Sequence, residues 1–61
     1  MKLGAWLIKN NLHYKEFAEI CAIKENTMFR YLNGTRKPSL KMARRIEKFT
    51  NGEVTIDGWF N

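Results

Sequence analysis

A chain of 61 residues has room for one small domain, and at that size only about 60% of the unfolded surface can be buried, so the core must be small. With 44% hydrophobic and 28% charged residues the composition is that of a folded globule, and no apolar stretch approaches the ~20 residues that span a bilayer. One cysteine and one histidine allow neither an internal disulfide nor a structural zinc set, which suits a reducing cytoplasm and points to no metal and no cofactor.

The formal net charge is +5, and its placement says more: residues 24–48 hold eight of the eleven Lys and Arg but only Glu25 and Glu47 as acids. A basic half of this kind expects a polyanion, nucleic acid first, with a merely solvated face as the plain alternative.

In chain order, MKLGAWLIKNN has too short an apolar run for a signal peptide. Leu3, Trp6, Leu7 and Asn10 follow helical spacing instead, so a first helix is expected over Lys2 to Asn10, with Trp6 and Leu7 inward and Asn10-Asn11 as its end. A second helix starts near His13, because Glu16 follows three residues later as in a capping box, and Leu12 and Phe17 have the spacing of a hydrophobic staple. His13 is then a helix-start or phosphate-side residue rather than a catalytic base, for no Ser, Cys or Asp companion stands near it. Phe17, Ala18, Ile20 and Cys21 are expected to form the apolar face of this helix, with Cys21 a small core residue.

Glu25 to Leu32 is the third expected helix. Met28, Tyr31 and Leu32 recur at spacings of three and four and share one buried face, while Asn26, Arg30 and Asn33, flanked by Thr27 and Phe29, collect on the other. Arg, Asn and Glu are the side chains that pair with guanine, adenine and cytosine edges in a major groove wide enough for one α-helix. Asn33-Gly34 ends the helix, with glycine free to take the left-handed conformation, and Thr35-Arg36-Lys37-Pro38 makes a basic, turn-forming loop. Ser39 is a good N-cap for a fourth helix with Leu40, Ala43, Ile46 and Phe49 inward, Met42 beside them, and Lys41, Arg44, Arg45 and Lys48 outward. Asn51-Gly52 stops it. In Glu53 to Asn61, Val54-Thr55-Ile56 alternates briefly and Asp57 offers a turn or the cap of a very short last helix.

The residues from Leu12 to Ser39 resemble the Cro and C-repressor type of helix-turn-helix family found in bacteria and their phages. The resemblance lies in Phe17-Ala18 of the first motif helix, Ile23 after the turn, Thr27 and Met28 within the second, then Tyr31-Leu32-Asn33-Gly34 and Pro38-Ser39. The first and last ten residues match loosely. What the resemblance implies is an all-α fold, a compact bundle of about four to five helices containing the helix-turn-helix, with a short C-terminal tail, the whole of residues 1–61 forming one DNA-binding domain. It departs from the family pattern at two positions. Ala22 stands where the family has the glycine of the turn, and an alanine held left-handed costs roughly 1 to 2 kcal/mol. Lys24 stands where Ser or Thr often caps the recognition helix, a loss of about 1 kcal/mol that invites a phosphate or base contact as its reason.

Carried over position by position, the base-reading residues are Glu25, Asn26, Phe29 and Arg30. Arg30 suits guanine, Asn26 adenine, Glu25 cytosine and Phe29 a thymine methyl, with a partly buried rim residue as the equal alternative for Phe29. Phosphate contacts fall to His13, Tyr14, Lys15, Lys24, Arg36 and Lys37, and more weakly to Arg44 and Arg45. The expected function is sequence-specific binding of a pseudo-palindromic double-stranded operator by a homodimer, as a small phage or prophage repressor, with no small-molecule ligand. The alternative is an antitoxin or accessory protein whose domain mainly binds another protein. A cationic membrane-active peptide built on Leu40 to Thr50 ranks low, because it has no use for the motif upstream. An enzyme ranks lowest, since neither paired carboxylates nor a nucleophile and base stand out. Of the tail, Val54 and Ile56 are expected to fold back on the core, and Trp59 and Phe60 to lean towards a subunit contact.

Overall fold

Among the described residues of the computed structural model, 1–60 with Phe60 by its backbone alone, the chain forms five helices and no strand. They are α1 (Leu3–Lys9), α2 (Tyr14–Cys21), α3 (Glu25–Asn33), α4 (Leu40–Phe49) and α5 (Asp57–Phe60). The all-α expectation holds, and the bounds of the longer helices lie within a residue or two of those expected. The brief alternation at Val54 to Ile56 does not make a strand: Val54 is buried and Ile56 half-buried in the irregular link between α4 and α5.

Local chemistry sets the helix ends. The side chain of His13 caps α2 and that of Ser39 caps α4, its Oγ accepting from the Met42 amide at 3.3 Å. Three helices end through a left-handed residue that is not glycine: Asn11 after α1, Ala22 after α2 and Asn51 after α4. Each lets a later amide reach back to the helix, as Leu12 N does to Leu7 O, Ile23 N to Ala18 O and Gly52 N to Glu47 O, so the last carbonyls are satisfied without further helix.

The core gathers Leu3, Trp6 and Leu7 of α1, Phe17, Ala18 and Cys21 of α2, Met28 and Tyr31 of α3, Ile46 of α4, and Val54. Trp6 meets Phe17 at 5.1 Å between ring centroids, and Tyr31 meets Trp59 edge-on at 5.9 Å. Three apolar positions expected inside are not. Ile20 is 52% exposed, Leu40 52% and Phe49 43%. On α2, Ile20 lies about 60° outside the arc that holds Phe17, Cys21 and Ala18, and on α4 Phe49 lies about 120° from Ala43. Leu40 has a suitable azimuth but occupies the first helical position, at the end of the buried stripe.

Two polar knots fasten the last third of the chain. Thr50 is fully buried; its hydroxyl lies 2.9 Å from Ile46 O and accepts from Val54 N at 3.1 Å, turning the chain back onto the core after α4. The Glu53 carboxylate accepts from Trp6 Nε1 at 3.2 Å and pairs with Lys9 at 2.5 Å, tying that turn to α1.

Candidate nucleic-acid interface

The start of α2 is built as the capping pattern predicts. His13 Nδ1 accepts from the Lys15 amide at 3.2 Å while the His13 amide donates to Glu16 Oε1 at 3.2 Å. With Nδ1 committed as acceptor, the neutral imidazole carries its proton on Nε2, which is left as the ring's donor. His13 and Lys15 are exposed and Tyr14 is half-buried.

In the turn between α2 and α3, Ala22, at the position where the resemblance expects glycine, sits in the left-handed region at φ 57°, ψ 41°. Lys24 then occupies the N-cap of α3 in extended conformation and supplies no side-chain cap. Its ammonium is exposed at the positive end of the helix dipole, where neither capping nor dipole favours it.

On α3 the division between faces is sharp. Met28 and Tyr31 are buried and Leu32 and Thr27 half-buried, whereas Glu25, Asn26, Phe29, Arg30 and Asn33 are exposed. All four candidate base-reading side chains therefore share the outer side of one helix that is anchored from behind by Met28, at 0% exposure. Phe29 belongs to this side and is 49% exposed, yet its ring also leans on Tyr14 of α2 at 5.6 Å. That contact joins the two helices of the motif and was not legible from spacing.

Gly34 closes α3 at φ 80°, Asn33 Oδ1 accepts from the Thr35 amide at 2.9 Å, and Arg36 N reaches Arg30 O at 3.2 Å. The basic loop is thus folded against the end of α3, with Arg36 and Lys37 exposed. Both also line a cleft of about 220 Å³ together with Lys2, Tyr31 and Trp59, and among the described residues no acidic side chain lines it.

Arg45 takes a different part from its outward neighbours on α4. Its Nη1 donates to Cys21 O at 3.2 Å, so its guanidinium fastens the end of α2 to α4. Beneath it, burial pushes the Cys21 thiol up to about 11, against a smaller opposing pull from the Arg45 charge. The thiol is therefore protonated and unreactive at neutral pH, as expected of a small core residue. Trp59, which the sequence left between the core and a subunit contact with a lean towards the latter, is half-buried against Tyr31, with an indole N–H that is buried and meets no acceptor among the described residues. The side chain of Phe60, its companion in that expectation, lies outside the described residues.

No helix among the described residues is long and apolar enough to cross a membrane. Compared with known proteins, residues 3–57 match the model of a helix-turn-helix family. No curated protein and no solved structure matches the chain.

Proposed function

The chain belongs to the Cro and C-repressor type of helix-turn-helix family, a family of DNA-binding regulators, and on that premise we propose that it is a sequence-specific transcriptional repressor that lays α3 in the major groove. The observation that carries this reading is the outer side of α3, where Glu25, Asn26, Phe29 and Arg30 are all exposed on a helix whose other side is locked into the core. Arg30 pairs with guanine, Asn26 with adenine, Glu25 accepts from cytosine and Phe29 packs on a thymine methyl. His13, Tyr14 and Lys15 on one flank, Lys24 at the helix start and Arg36 and Lys37 on the other hold the phosphates and set the register. All of residues 1–61 serve as the one domain that does this, in the compartment that holds the DNA.

The working form is a homodimer on a pseudo-palindromic operator. The fold measures 24 × 21 × 18 Å, whereas half-sites one helical turn apart are about 34 Å from centre to centre, so one copy reads one half-site and a second copy is required for the other. The reading includes an origin in a phage or prophage.

Selection of bound duplexes from a random pool tests the reading directly. A single enriched sequence with two-fold symmetry is expected, and Arg30→Ala and Asn26→Ala should each lose about 1 to 3 kcal/mol of discrimination at particular base pairs, with the fold retained by circular dichroism. No enriched sequence, or full preference kept by both variants, overturns it.

A further inference from the structure

We infer that Tyr14 is a positioning residue for base reading: its ring holds Phe29 on the outer side of α3 so that Phe29 meets the 5-methyl group of one thymine in each half-site. This rests on the proposed placement of α3 in the major groove. Three aromatic side chains form a continuous ledge from the start of α2 to the middle of α3. His13 stacks on Tyr14 with ring centroids 4.8 Å apart and planes 29° apart, and Tyr14 meets Phe29 at 5.6 Å and 47°.

The ledge is fixed at its far end. His13 is held by two hydrogen bonds, one accepted from Lys15 N and one donated to Glu16 Oε1, each 3.2 Å. Tyr14 is half-buried and packs against the core. Phe29, by contrast, has about half its surface free and no core neighbour is needed to explain its place; the ring contact that orients it among the described residues is Tyr14. An exposed side chain that must be ordered on binding weakens affinity by about two- to tenfold. A ring already held against Tyr14 avoids most of that loss, and its free face is apolar in a groove where the thymine methyl is the apolar feature.

The two halves of the side chain separate this role from the proposed phosphate contact. The Tyr14 hydroxyl serves a phosphate, whereas the ring serves Phe29, so removing one leaves the other. The test uses the duplex obtained by selection, with each thymine replaced in turn by uracil, which deletes the 5-methyl and nothing else. In the wild-type protein, a single uracil at the sensitive position of either half-site should weaken binding about fourfold, as expected for one buried methyl-sized group. Phe29→Ala should abolish that penalty. Tyr14→Leu, which keeps apolar bulk without a ring, should reduce it to below about twofold while the salt dependence stays as in wild type. Tyr14→Phe should keep the fourfold penalty and weaken all duplexes alike.

A Tyr14→Leu protein that keeps the full uracil penalty overturns the inference. So does a wild-type protein with no uracil-sensitive position that still binds its selected duplex with steep salt dependence; the DNA reading then stands and this role for Tyr14 falls. Absence of any preferred duplex sinks the DNA reading itself. Should the Leu variant unfold, nuclear Overhauser contacts between the Tyr14 and Phe29 rings in the wild-type complex decide the matter, their presence beside the uracil-sensitive thymine supporting the inference and their loss on binding overturning it.

Discussion

Ala22 holds φ 57° and ψ 41°, a conformation in which its Cβ crowds the neighbouring carbonyl at a cost of roughly 1 to 2 kcal/mol. Glycine removes that crowding but adds freedom to the unfolded chain, which offsets about 0.5 to 1 kcal/mol of the gain. Ala22→Gly should therefore raise the unfolding free energy by about 0.5 to 1 kcal/mol in a urea titration, and a loss of stability would show that the turn relaxes around alanine by other means. Two residues on, Lys24 sits at an N-cap that it does not cap. Lys24→Ser supplies the missing acceptor and removes a charge that opposes the dipole, so stability should rise by about 1 kcal/mol. Binding should move the other way, weakening all duplexes alike with a log-log salt slope shallower by about one per protomer. Higher stability with unchanged affinity would leave Lys24 without a part at the phosphates. Both departures from the family pattern were visible in the sequence, because a glycine position and a cap position are defined by one residue each.

At the scale of helices, legibility followed range. The cap at His13 with Glu16, the cap at Ser39 and the stop at Gly34 depend on residues within a few positions of one another, and each stands where spacing places it. Which apolar residues are covered depends instead on neighbours far along the chain, so periodicity alone assigned Ile20, Leu40 and Phe49 to an interior that does not extend over them. The buried Thr50 hydroxyl and the clasp of Trp6, Lys9 and Glu53 were likewise out of reach, the clasp joining positions 47 and 44 apart. In that clasp the hydrogen bond from Lys9, then that from Trp6 and the lysine charge, hold the Glu53 carboxyl below its ordinary value of 4.5. A carboxyl whose pKa is depressed by folding contributes stability that is fully present above its unfolded value and is lost as pH falls through the folded one. Acid titration of stability should therefore decline less steeply below about pH 4.5 in Glu53→Gln than in the wild type, and raised salt should narrow the difference. Identical acid profiles would mean that the exposed pair contributes nothing measurable, a common outcome for surface ion pairs.

The whole molecule poses the question of association. Trp59 packs one side on Tyr31, so the last helix already serves the monomer, and truncation after Ile56 should lower the melting temperature whether or not two copies meet. A stability loss on truncation therefore does not separate the two roles, and the spacing of half-sites is the cleaner probe. Two copies on half-sites about 10 base pairs apart lie on the same face of the duplex, where protein can touch protein. Adding about 5 base pairs turns one copy to the opposite face while leaving every DNA contact intact. A homodimer should bind the first duplex much more tightly than a single half-site, with steeper dependence on protein concentration, and lose that advantage on the second. Phosphate contacts summed over both copies, about 6 to 8, should give a log-log salt slope of roughly −5 to −7 on the first duplex and about half of it on a single half-site. Equal affinity at both spacings would mean that each copy reads its half-site alone, and Trp59 would then belong to the fold and not to an interface.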